Sequence, residues 1–73
     1  MIRLMIADDE PIITNGLFEF FTSQLDETFD ILKATSGMDA LEQCKHAKID
    51  ILLSDICMPD ISGLELQKQI LQL

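Results

Sequence analysis

The sequence predicts an α/β domain: three parallel strands, each followed by a helix, in one unit spanning residues 1–73. Three observations carry this. Two runs, Ile2 to Ala7 and Ile49 to Ser54, are almost wholly apolar, as strands covered on both faces of a sheet tend to be. Both run straight into acids, Asp8-Asp9 and Asp55, at the strand ends where such sheets place their chemistry. Between and after them apolar residues recur at helical spacing, so strands and helices alternate and right-handed crossovers are expected.

The first strand, Ile2 to Ala7, is interrupted only by Arg3 and stopped by Asp8-Asp9-Glu10-Pro11. Asp9 is the expected helix N-cap and Glu10 suits the positive end of the dipole. Pro11 fits a first turn, where its missing N–H would find no partner anyway. Ile13, Leu17, Phe20, Phe21 and Leu25 then form one broad stripe, which predicts a helix from about Pro11 to Gln24. Gly16 costs that helix about 1 kcal/mol against Ala, so close packing is expected around it. Phe29 to Ala34 is the second strand, and Asp30 and Lys33 mark it as an edge.

Ser36 with Asp39 resembles a capping box for a second helix, whose inner face is Ala40, Leu41, Cys44 and Ala47. Lys45, His46 and Lys48 suit its negative end, and His46 reads as a solvent-facing dipole partner rather than a proton shuttle. The third strand, Ile49 to Ser54, leads into a loop from Asp55 to Ser62. Ser62 with Glu65 gives a second capping box, and Leu66, Ile70 and Leu73 a third helical stripe. No Gly, Pro or basic turn finishes this helix, so the chain reads as ending inside an element or just after it.

A chain of 73 residues holds one small domain with a marginal core. Its 48% hydrophobic and 25% charged residues are those of a globular protein. The net charge of −8, with only five Lys and Arg, disfavours direct binding to nucleic acid or to an anionic membrane. Cys44 and Cys57 have no ligand-like spacing to His46 and read as reduced thiols. No stretch approaches the ~18 apolar residues of a membrane span, nor is there a secretory leader, so the cytoplasm is expected.

Three parallel strands could lie in the order 1-2-3 or 2-1-3. The second puts the mixed strand at an edge, joins the two most apolar strands, and creates a topological switch point between them. It gathers Asp8, Asp9 and Asp55 in one crevice, since neighbouring strands lie about 4.8 Å apart. At ~4 Å and an effective dielectric of ~20, each carboxylate pair repels by as much as about 4 kcal/mol. A divalent cation offsets this, and all-oxygen ligands favour Mg²⁺ or Mn²⁺ over zinc. The alternative is that these acids are solvated turn residues or helix caps. No glycine-rich phosphate loop and no G-x-S-x-G elbow is present. A small metal-dependent hydrolase would need a general acid or a second metal set, for which the sequence offers no candidate.

Asp8-Asp9-Glu10-Pro11 after a first strand, with Asp55-Ile56-Cys57-Met58-Pro59-Asp60-Ile61-Ser62-Gly63 after a third, resembles the receiver domain of bacterial two-component response regulators. The resemblance covers the whole chain but only the first three βα units of that family's flavodoxin-like domain. It implies that Asp55 accepts a phosphoryl group from a partner histidine kinase, with no enzymatic turnover. It further implies that Mg²⁺ is held by Asp9 directly, by Asp8 through water, by Asp55, and by Cys57 through its backbone carbonyl. Ser62 stands where an acid or amide is common, and serves as a helix cap equally well.

The family's sheet runs 2-1-3-4-5, with a hydroxyl residue ending strand 4 and a lysine ending strand 5. Neither strand is in this sequence, so a homodimer or larger self-association through the open strand 3 edge and the first helix is expected. Pro11-Ile12-Ile13 and Gly63-Leu64-Glu65-Leu66 resemble regulators with a helix-turn-helix output domain, so a full-length protein is expected to place DNA binding outside this segment. The competing expectation is a non-catalytic, self-associating half-domain or interaction module.

Overall fold

In a computed structural model that describes all 73 residues, three strands pair into one parallel sheet in the order β2-β1-β3. They are β1 (Ile2–Ala7), β2 (Phe29–Ala34) and β3 (Ile51–Ser54), and each precedes a helix: α1 (Pro11–Gln24), α2 (Gly37–His46) and α3 (Gly63–Leu71). Both the fold class and the strand order agree with the sequence reading. Leu4 lies opposite Ile31 and Ile51, and Ala7 opposite Ala34 and Ser54, so the carboxyl ends of all three strands are level.

Alternation along the strands divides the apolar residues between two faces. Met5, Ala7 and Ala34 pack with Ala40, Leu41, Met58 and Leu66, which places the main core between the sheet and α2 with α3. The alanines on this face let α2 approach the sheet closely. Leu4 and Ile6 point to the other face, which α1 covers over β1 and β2. Ile51 and Leu53 share that second face by register and remain 43% and 44% exposed.

Several expectations need correction. Glu10, not Asp9, is the N-cap of α1, and it makes no side-chain capping bond; the Asp9 carboxylate lies instead with Asp8 and Asp55. Gly16 is not closely packed, since no atom lies within 4 Å of where its Cβ would stand. The α1 stripe is only partly covered: Ile13 and Phe20 are exposed, while Thr14 is the fully buried residue of the helix.

β3 begins at Ile51 rather than Ile49. Asp50 is drawn into a side-chain bond, its carboxylate accepting the N–H of Arg3 at 2.8 Å while its own N–H donates to the Arg3 carbonyl at 2.9 Å. The return bond of the first capping box goes one residue upstream, from the Thr35 N–H to the Asp39 carboxylate. α3 ends at Leu71 with Lys68 in its last turn and Gln72 as C-cap, so Leu73 lies outside the stripe and is exposed.

Candidate functional site

The site is built at the level carboxyl ends of β1 and β3. The Asp8 N–H donates to the Ala34 carbonyl at 3.1 Å and the Asp55 N–H to the Ala7 carbonyl at 2.9 Å, so the sheet ladder itself fixes both backbones. One carboxylate oxygen from each of Asp8, Asp9 and Asp55 lies within 4.8 Å of the other two. All three residues are half-buried. Their solvent contact screens the mutual repulsion and still leaves a concentrated negative crevice.

Hydrogen bonds orient the acids further. The Glu10 N–H donates to Asp8 Oδ1 at 2.9 Å, and the Cys57 N–H to Asp55 Oδ1 at a long 3.4 Å. Beneath them the hydroxyl of Thr14, fully buried, is within donor reach of the Asp8 carbonyl at 3.1 Å and the Glu10 carbonyl at 3.2 Å. This single hydroxyl pins the turn that carries Asp8 and Asp9.

The loop after β3 is held at three points. At its base the Gly63 N–H donates to the Ile56 carbonyl at 2.8 Å, and a Cβ on Gly63 would collide with the Asp55 carbonyl oxygen. No glycine has a positive φ, so it is space rather than backbone conformation that demands glycine here. Met58 is buried in the main core. At the far end the Asp60 carboxylate accepts N–H bonds from Met38 at 2.8 Å, Ile61 at 2.9 Å and Gly37 at 3.1 Å. Those bonds, led by the one from Met38, hold its carboxyl below the ordinary carboxylate range.

The structure thus brings together Asp8, Asp9 and Asp55, and sets Cys57 two residues on, with an exposed thiol. His46 is elsewhere, in the last turn of α2, exposed and 3.0 Å from Glu42. Burial pushes the pKa of the Cys44 thiol up, and its side chain packs against the main core. Sequence reasoning missed Thr14 and Asp60. Thr14 is a polar residue four positions after Glu10 in an apolar stretch, a weak sign of a hydroxyl turned back on the backbone. Asp60 finds two of its three amide partners, Gly37 and Met38, more than twenty residues away in sequence, where no local pattern reveals them.

Three hard oxygen donors at this spacing fit a small divalent cation such as Mg²⁺ or Mn²⁺, and the donor set lacks the imidazole or thiolate that zinc prefers. Fold and site together define a doubly wound α/β protein with an acidic crevice at its topological switch point. Residues 4–73 match the family model of the response regulator receiver domain, and the chain belongs to that family. It is 39% identical over 66 residues to the transcriptional regulatory protein LnrK of Bacillus subtilis, covering 89% of this chain and 29% of LnrK. To YhcZ, an uncharacterized transcriptional regulatory protein of the same organism, it is 33% identical over 70 residues, covering 96% and 32%.

A solved structure of a two component transcriptional regulator AraC from Clostridium phytofermentans superposes with a TM-score of 0.83 at 30% identity, covering 100% of this chain and 57% of that one. The chain spans roughly a third of the length of these curated relatives. The fold is accordingly the flavodoxin-like fold of receiver domains, here three parallel strands in the order 2-1-3 with three helices.

Proposed function

We propose that residues 1–73 form the phospho-accepting part of a receiver domain in a two-component pathway, with Asp55 the acceptor and a histidine kinase the donor. The convergence of Asp8, Asp9 and Asp55 within 4.8 Å, in a chain of this family, carries the reading. With one Asp55 oxygen engaged by the Cys57 N–H, the other attacks phosphorus on the donor's phosphohistidine. The O–P bond forms as the P–N bond breaks, and the imidazole leaves with the electron pair and takes up a proton. The product is one acyl phosphate per chain, so Asp55 acts as a stoichiometric acceptor and not as an enzyme turning over.

Asp8, Asp9, Asp55 and the backbone carbonyl of Cys57 are the residues that would hold Mg²⁺. A cation bound there would neutralise the acids and the incoming phosphoryl oxygens. A histidine-kinase donor supports a cytoplasmic location for the chain. No helix is long and apolar enough to cross a membrane. The acidic charge of −8 supports assigning any DNA contact to other parts of a longer regulator.

Incubation with acetyl phosphate and Mg²⁺, read by intact-mass spectrometry, tests the reading. One added phosphoryl group is expected, lost in Asp55→Asn and on chelation. The absence of any adduct with every small phosphodonor would leave the second reading, a non-catalytic interaction module.

That second reading is favoured by one observation of its own, the open edge of β3 with Ile51 and Leu53 exposed beside it. The same edge supports homodimerisation of the 73-residue chain, because the segment Ile51–Ser54 is uncharged and a two-fold axis would pair it with its own copy. Sedimentation at micromolar concentration is expected to show a dimer or larger species. A stable, compact monomer would contradict it.

A further inference from the structure

The carboxylate of Asp60 does work that the acid cluster does not explain. It ties the tip of the loop after β3 to the first amides of α2, accepting from Gly37 and Met38. A Cβ on Gly37 would lie 3.0 Å from Ile61 Cγ2 and 3.2 Å from Asp60 Oδ1, so the loop rests directly on the helix end. α2 has a cap without it, since the Ser36 hydroxyl oxygen already accepts the Asp39 N–H at 3.0 Å. The loop, by contrast, has no other polar tie to α2. Bonds from backbone N–H to a carboxylate at a helix N-terminus are charge-assisted and reinforced by the dipole.

Cys57 lies between two of the loop's fixed points, the base at Ile56–Gly63 and the buried Met58, and Asp60 fixes the strand of loop that leaves Met58. We infer that Asp60 is a positioning residue: by anchoring the loop on α2 it sets the Cys57 carbonyl at the distance a Mg²⁺ ion requires. This rests on the reading of Asp8, Asp9, Asp55 and the Cys57 carbonyl as a cation site. Mg²⁺ demands a near-octahedral shell at about 2.0–2.1 Å, whereas Ca²⁺ accepts irregular shells at about 2.3–2.6 Å. A slackened carbonyl therefore penalises Mg²⁺ more than Ca²⁺. Simple destabilisation of the fold would instead lower both affinities by the same folded fraction.

Calorimetric titration of the wild-type chain, Asp60→Ala and Asp60→Asn with Mg²⁺ and with Ca²⁺ decides the matter. In Asp60→Ala the Mg²⁺ affinity is expected to fall about tenfold, the scale on which an outer partner of a ligand acts. The Ca²⁺ affinity falls by no more than about twofold. Asp60→Asn keeps one acceptor oxygen and retains the fold, and its Mg²⁺ to Ca²⁺ ratio drops part of the way, so that variant decides the question alone if Asp60→Ala does not fold. A wild-type ratio in folded Asp60→Asn overturns the assignment while leaving the cation site standing. A wild-type chain that binds neither ion overturns the cation site, and the assignment with it.

Discussion

Gly63 shows how tightly individual residues are bound into the acid site. Its amide closes the loop on Ile56, and its missing side chain leaves room for the Asp55 carbonyl. Gly63→Ala forces a methyl group into backbone that cannot yield as a flexible side chain would. Urea denaturation is expected to show a loss of about 1–3 kcal/mol, the usual penalty for overpacking. A variant as stable as wild type would mean the loop has slack that the geometry does not show. Asp8, Asp9 and Asp55 were legible in the sequence because they end its two most apolar runs, which the strand order 2-1-3 makes neighbours. Thr14 and Asp60 were not, since their partners are backbone groups that only the folded chain brings near. The expectation of Asp9 as a cap failed for a related reason: its carboxylate turns toward Asp8 and Asp55, and the helix start passes to Glu10.

The elements follow the periodicity of the sequence closely, and depart from it where a side chain competes with the backbone. β1, β2 and α1 have the bounds that their apolar spacing indicated, whereas β3 is shortened by the bond that Asp50 makes to Arg3. The hydroxyls of Ser36 and Ser62 cap α2 and α3 as their positions implied, accepting the N–H groups of Asp39 and Glu65. α1 is the element least explained by packing. Its glycine at position 16 is exposed and touches nothing, and its φ is not positive, so only backbone entropy is at stake there. Gly16→Ala is expected to raise stability by about 0.5–1 kcal/mol. A destabilised Gly16→Ala, measured by thermal or urea unfolding, would reveal a partner for this face of α1.

At the scale of the whole molecule, strand order was readable from composition: the strand carrying Asp30 and Lys33 lies at an edge, and the two most apolar strands are neighbours. What the sequence could not convey was how unequally the two faces are covered. The α2 and α3 face holds most of the buried core, while Ile13, Phe20, Ile51 and Leu53 on or beside the α1 face remain open to solvent. The acid site stands apart from this imbalance, because its backbones are fixed by the sheet ladder and its loop by Met58, Gly63 and Asp60.

The function proposed for the chain depends on those three acids acting as one cation site. Calorimetric titration of the wild type and of Asp9→Asn with Mg²⁺ tests this most directly. One ion per chain in the wild type, with binding lost in Asp9→Asn, is the expected result; binding undiminished in Asp9→Asn, or no binding by the wild type, would contradict it.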